Sequence, residues 1–188
     1  MPDNPPPEPA TAAPLVNLAN IITFGRLCAV PLAFWLVLVH RIDDAFLLFV
    51  AAGLSDALDG WLARRYGGNA IGALMDPVAD KALLVTMYIT LAAVGELPAW
   101  IAILVVFRDL LIVGGIVVLS VLGHAVTIRP LTISKLNTVM QIVLIAISLL
   151  KGGYGLGIPG LAEVLTWCVV GTTTASGAAY VWKAARGT

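Results

Sequence analysis

The chain has 188 residues, of which 60% are hydrophobic and 12% charged, with a mean hydropathy of +0.96; this excludes an ordinary soluble domain and points to a membrane protein. Eleven Lys and Arg balance eleven Asp and Glu, so neither the basic excess of a nucleic-acid binder nor an acidic solvating tail is present. A span takes about 20 residues, so the length allows six helices with short loops and leaves no room for a separate soluble domain.

In chain order, residues 1–14, MPDNPPPEPATAAP, hold six of the eleven prolines and are expected to form a disordered tail. Asp3 and Glu8 stand where a cleavable signal would carry a basic start, so none is expected. The six-helix membrane domain is expected over 15–188. Its apolar runs fall at 19–39, 45–63, 71–94, 99–122, 134–150 and 161–182, separated by turn-like or charged pieces such as 40–44, 66–69 and 151–159. With the N-terminus cytoplasmic, Arg64, Arg65, Arg129, Lys135, Lys183 and Arg186 lie inside against Arg41 and Lys151 outside, which places both termini in the cytoplasm. Trp35, Trp61, Trp100 and Trp182 fall near span ends, as interfacial aromatics do. Cys28 and Cys168 have no ligand-like spacing and read as small hydrophobes. There is no internal repeat and no matched pair of broken helices of the transporter type.

The chemistry concentrates in residues 53–81, GLSDALDGWLARRYGGNAIGALMDPVADK. Asp56 and Asp59 are three apart in the second run, and Asp76 and Asp80 four apart in the third. Both spacings return a helix to one face, so two neighbouring helices would converge four carboxylates. An ionised carboxylate in a membrane costs at least about 2.5 kcal/mol and must be paired, hydrated or metal-bound. Four together repel unless cations sit between them. An all-oxygen set favours a hard ion, Mg²⁺ or Mn²⁺ before Zn²⁺, with Ca²⁺ also admissible. Two ions about 3.5–4 Å apart suit phosphoryl chemistry. Gly60 and Gly72, each four residues from an Asp, let a bulky ligand approach the backbone. Arg64 could neutralise phosphate oxygens.

Each feature also has a structural alternative. Asp76-Pro77 could be a helix cap, and Asp56 could simply pair with Arg64 or Lys81. Arg65 reads as a topology charge. Arg108 and Asp109 could be an intramembrane pair, and Gly114-Gly115 a close helix packing point. His124, without partners of ligand spacing, reads as solvated or interfacial.

The pattern D-x-x-D-G-x-x-A-R, a spacer, then G-x-x-x-D-x-x-x-D, here Asp56, Asp59, Gly60, Ala63, Arg64, Gly72, Asp76 and Asp80, resembles the signature of the CDP-alcohol phosphotransferases. The spacer between Arg64 and Gly72 is seven residues, shorter than the family usually has. The resemblance implies a six-helix, often homodimeric membrane enzyme, the polar metal site at the cytoplasmic end of its bundle, that displaces CMP from a CDP-linked lipid with a divalent metal pair, Mg²⁺ or Mn²⁺. By that resemblance Asp56, Asp59, Asp76 and Asp80 are metal ligands, and Asp80 is also the general base. Gly60, Ala63, Arg64 and Gly72 would line the CDP pocket, with Gly53 nearer the cytosine end. NLANIITFGR resembles the family's N-x-x-T-x-x-R entry to the first helix through Asn20, Thr23 and Arg26. Asn20 and Thr23 are assigned to the CDP-lipid side and Arg26 to the acceptor side; a polar first turn with a snorkelling arginine is the alternative.

For the acceptor, IRPLTISKLNTVMQ, with Arg129, Pro130, Ile133, Ser134, Lys135, Asn137, Thr138 and Gln141, resembles a stretch of the cardiolipin synthases of this family. Phosphatidylglycerophosphate synthases share Lys135, Thr138 and Gln141. They also tend to carry a further arginine after the pair that matches Arg108-Asp109, whereas here LLIVGGIVVLS follows. A phosphomonoester wants at least two cations and a phosphodiester fewer. The reading therefore favours phosphatidylglycerol as acceptor, with glycerol 3-phosphate as the alternative and Arg108 and Lys135 on the acceptor side. The expected partners are CDP-diacylglycerol, the acceptor and membrane lipid, with no nucleic acid, at a bacterial inner membrane with the site facing the cytoplasm. A cation transporter would explain the carboxylates but not Gly60, Ala63 and Arg64 at fixed spacing.

Overall fold

The structure is a computed structural model that describes residues 18–66, 70–121 and 132–185, with side chains for 24–58, 78–115 and 132–182. The expected tail at 1–14, Arg129 and His124 lie outside the described residues, as do the side chains of Asn20, Thr23, Asp59, Ala63, Arg64, Asp76 and Lys183 and the surroundings of Gly60 and Gly72. The described residues form six α-helices and no strand: α1 (Leu18–Leu38), α2 (Ile42–Tyr66), α3 (Ala70–Ala93), α4 (Ala99–Val121), α5 (Thr132–Tyr154) and α6 (Leu161–Ala185).

The helix ends follow local chemistry. At the end of α1 the N–H of His40 donates to the carbonyl of Val37 (3.0 Å) and that of Arg41 to Leu36 (2.8 Å), with His40 in the left-handed region at φ 61°; this is a Schellman stop with a histidine where glycine is usual. Gly95, at φ 83°, ends α3 with the same pattern through Ala92 and Leu91. Asp43 and Asp44 begin α2, Glu163 lies in the first turn of α6 and Lys151 in the last turn of α5, each matched in sign to the helix dipole. Lys151 to Tyr154, expected in a connecting piece, therefore continue α5. At that end Gly153 lies against the backbone of α2: a Cβ there would come within 2.6 Å of the Asp43 nitrogen.

α1 packs on α2 and α3, α5 on α2 and α6, and α4 on α3 and α6. Each helix splits into an apolar half and a polar half, and the order reverses from one helix to the next. Along α1 and α3, Arg26 and Asp80 precede the buried Val37 and the buried Leu83, Met87 and Leu91; along α2 and α4, Phe49 and Val105 precede Asp56 and Arg108. Along α5, Ser134, Asn137 and Gln141 come before Leu144, Ile145 and Leu149, and in α6 Val169 comes before Thr173 and Ser176. Consecutive helices are thus antiparallel, with one end of the bundle an apolar core and the other a polar layer.

The outer surface is apolar. Phe24, Trp35, Leu54, Ile103, Phe107, Leu110, Val164, Trp167 and Trp182 are exposed, an inside-out pattern suited to lipid rather than water. Among the described residues α5 and the Leu161–Trp182 part of α6 are long and apolar enough to cross a membrane. Cys28 and Cys168 are free thiols on exposed positions.

Candidate active site

The polar layer contains two charged clusters that meet on α3. The first is built on Arg26, eight residues into α1 and so about 12 Å from its start. Its Nη1 donates to Asp80 Oδ1 on α3 at 2.8 Å and lies 3.0 Å from Asp56 Oδ1 on α2. The guanidinium side chain is 1% exposed, whereas the Asp56 and Asp80 side chains are 48% and 41% exposed. A buried cation thus forms the floor, and two carboxylates from different helices open above it. Sequence spacing predicted that α2 and α3 converge their carboxylates, and the structure brings Asp56 and Asp80 together. It joins Arg26, assigned from sequence to the acceptor side, to these two carboxylates. The suggested pairing of Asp56 with Lys81 does not form, because Lys81 is engaged elsewhere.

This donor set fits a hard divalent ion: two carboxylates with half-exposed faces, held by one shared counter-charge, are oxygen ligands open to solvent. The α2 and α3 backbones are helical through Asp59 and Asp76, one turn from Asp56 and Asp80. A Cβ built on Gly53, one turn before Asp56, would have nothing within 4 Å, leaving room for a ligand.

The second cluster lies across α3, α4, α5 and α6. Lys81 Nζ donates to Asp109 Oδ2 at 2.5 Å, and Arg108 Nη1 donates to Asp109 Oδ1 at 2.7 Å. Arg108 Nη2 donates to Ser134 Oγ on α5 at 2.7 Å and to Ser176 Oγ on α6 at 2.5 Å. Arg108 and Asp109 do form the intramembrane pair considered from sequence, within a wider network. Ser176 had no signal in the sequence: it lies 68 residues from Arg108, and an isolated serine in an apolar helix has no spacing to read. Lys135, the other acceptor-side candidate, follows Ser134 on α5 and is exposed. Below it the α5–α6 contact is fixed by Asn137, whose Oδ1 accepts from Thr172 (2.9 Å) and Thr173 (2.8 Å). Gly114 and Gly115 are exposed, and a Cβ on either would touch nothing, so they mark no close packing within the chain.

The family model for CDP-alcohol phosphatidyltransferase matches residues 16–175. Among curated proteins, the chain is 36% identical over 184 residues to the chloroplastic CDP-diacylglycerol–glycerol-3-phosphate 3-phosphatidyltransferase 1 of Oryza sativa subsp. japonica, covering 88% of this chain and 56% of that protein. It is 34% identical over 186 residues to a probable phosphatidylglycerophosphate synthase of Mycobacterium tuberculosis, covering 94% of this chain and 86% of that protein. To the human cardiolipin synthase (CMP-forming) it is 26% identical over 179 residues, covering 86% of this chain and 59% of that one. The chain thus spans little more than half the length of the rice and human proteins.

Proposed function

Because the chain belongs to the CDP-alcohol phosphatidyltransferase family, we propose that it transfers a phosphatidyl group from CDP-diacylglycerol to phosphatidylglycerol, releasing CMP and forming cardiolipin. The observation that carries the reading is the pair Asp56 and Asp80, held by one buried arginine and half exposed above it. Asp56, Asp59, Asp76 and Asp80 would hold two Mg²⁺ or Mn²⁺ ions, which supply charge neutralisation at the diphosphate. Asp80 takes the proton of the acceptor hydroxyl as its oxygen attacks the phosphorus bearing the diacylglycerol. The bond from that phosphorus to the bridging oxygen breaks, and CMP leaves. Asn20, Thr23, Gly53, Gly60, Ala63, Arg64 and Gly72 line the CDP-lipid side; Arg108 and Lys135 face the acceptor. Arg26 fixes the two carboxylates.

The acceptor assignment rests on the balance around Arg108, whose terminal guanidinium donors are already engaged by Asp109 and two serine hydroxyls. Such a site suits a singly charged phosphodiester better than a phosphomonoester. Glycerol 3-phosphate is the second reading, favoured by the names of the rice and mycobacterial relatives. A nucleotide and a lipid meet only at an interface, so the site lies at a membrane surface; in this reading all six helices span a bacterial inner membrane, both termini and the site face the cytoplasm, and the working unit is a homodimer. The test is CMP release by the purified protein with Mg²⁺ or Mn²⁺ and CDP-diacylglycerol, each acceptor offered separately. Release with phosphatidylglycerol, yielding cardiolipin, is expected; release with glycerol 3-phosphate alone would transfer the assignment to the second reading.

A further inference from the structure

Lys81 follows Asp80 directly, and consecutive helix residues point about 100° apart. Asp80 accordingly turns to Arg26 on α1, while Lys81 reaches Asp109 on α4. Asp109 is shared between two cations, with one oxygen on Lys81 and the other on Arg108. Two positive charges on one carboxylate leave one net positive charge in the cluster.

The three groups differ in access. Arg108 and Asp109 are buried, their side chains 5% and 9% exposed, while that of Lys81 is 41% exposed. Among the described residues, the buried Nε of Arg108 has no hydrogen-bond partner, so this cluster keeps donor capacity after meeting Asp109, Ser134 and Ser176. An ammonium also has three donors and spends one on Asp109. A second charge partner with oxygen acceptors can therefore join on the side of Lys81.

We infer that Lys81 binds the phosphate of the acceptor, and that Asp109 sets how much negative charge this phosphate carries. The inference rests on the transferase reading above. Its geometry follows from adjacency: in a glycerol-linked acceptor a three-carbon span separates the attacking hydroxyl from the phosphate, and here the residue that takes the hydroxyl proton is the chain neighbour of the residue that takes the phosphate. One net positive charge in the Lys81–Asp109–Arg108 cluster matches a phosphodiester; a phosphomonoester carries nearly two negative charges at neutral pH and would draw on Lys135 as well or need Asp109 neutralised.

The experiment uses the full chain in detergent. Calorimetric binding of short-chain phosphatidylglycerol and of glycerol 3-phosphate is measured alongside CMP release, for wild type, Lys81→Met, Lys81→Arg and Asp109→Asn. Lys81→Met should weaken acceptor binding and raise the acceptor KM about ten-fold or more, with the KM for CDP-diacylglycerol within about two-fold. Lys81→Arg should recover most of the loss, since charge and donors persist. Asp109→Asn should shift preference toward glycerol 3-phosphate about ten-fold. Unchanged acceptor binding in Lys81→Met overturns the inference, and so does an equal rise in both KM values, which would make Lys81 only a counter-ion to Asp109. Absence of CMP release by wild type with either acceptor would instead bring down the transferase reading, and the calorimetry would still decide the role of Lys81.

Discussion

Arg26 on α1 and Asp80 on α3 meet at 2.8 Å across 54 residues, and the same Arg26 nitrogen reaches Asp56 on α2 at 3.0 Å. One buried nitrogen therefore sets the spacing of two helices that would otherwise present like charges to each other. Replacing Arg26 by Gln removes that restraint while keeping the size and polarity of the side chain. Losing one partner of a fully buried pair costs about 3–5 kcal/mol, and exposed pairs contribute little. With a buried cation and half-exposed carboxylates, we expect about 1–3 kcal/mol lower stability and at least about a ten-fold fall in kcat. Thermal unfolding in detergent and CMP release measure the two effects.

The same arginine governs what chelation does. EDTA should stop CMP release, and Mg²⁺ or Mn²⁺ should restore it. The fold should persist, because Arg26 already supplies a counter-charge to Asp56 and Asp80. We expect the unfolding midpoint to move by about 5 °C or less; a collapse of helicity on chelation would contradict this account.

Asp80→Asn keeps the shape of the side chain and its ability to accept from Arg26, but it cannot take a proton. Turnover should vanish while equilibrium binding of CDP-diacylglycerol stays close to wild type. Near-normal CMP release in this variant would remove Asp80 as the base.

At the other end of the bundle, Gly153→Ala places a methyl 2.6 Å from the Asp43 nitrogen and 2.8 Å from its Cα. Backbone cannot yield as a flexible side chain does, so α5 must move off α2, at a cost of about 1–3 kcal/mol. Both KM values should hold, because the polar layer lies beyond the apolar core. Parallel measurements of unfolding and of both KM values check the separation.

His40→Gly should act in the opposite direction. A non-glycine residue in the left-handed region costs about 1–2 kcal/mol, partly offset by the larger unfolded-state freedom of glycine. A gain of about 0.5–1 kcal/mol in stability is expected, with turnover unchanged.

Much of this architecture was readable from residues alone. Each of the six apolar runs falls on one of the six helices, and α1 and α3 end within a residue of their expected bounds because of the stop chemistry at His40 and Gly95. α5 overran its expected end because Lys151 favours a helix C-terminus and Gly152-Gly153 fit a crowded contact with Glu96 and α2. In the site, the three- and four-residue spacings sufficed to bring α2 and α3 together at Asp56 and Asp80, since periodicity within a helix is local. The Arg108–Asp109 pair was readable because the two are chain neighbours, but the partners of Arg26, and those of Arg108 on α5 and α6, were not, because which helix faces which is decided by packing across the whole chain. Ser134 lay within a motif, whereas Ser176 was one polar residue among many small ones in α6. Only the folded arrangement singles it out.

The position of Arg26 also bears on how the protein is made. α1 is synthesised before α2 and α3, and its arginine has its partners 30 and 54 residues further along the chain. An unpaired arginine at the centre of a membrane helix costs about 2.5–3.5 kcal/mol on insertion. On the membrane reading proposed above, α1 alone should be a poorly retained segment, better seated once α2 and α3 bring Asp56 and Asp80 alongside. On that reading α1, α2 and α3 insert as a unit, and the residues proposed for the reaction centre are the same ones that seat α1 in the bilayer.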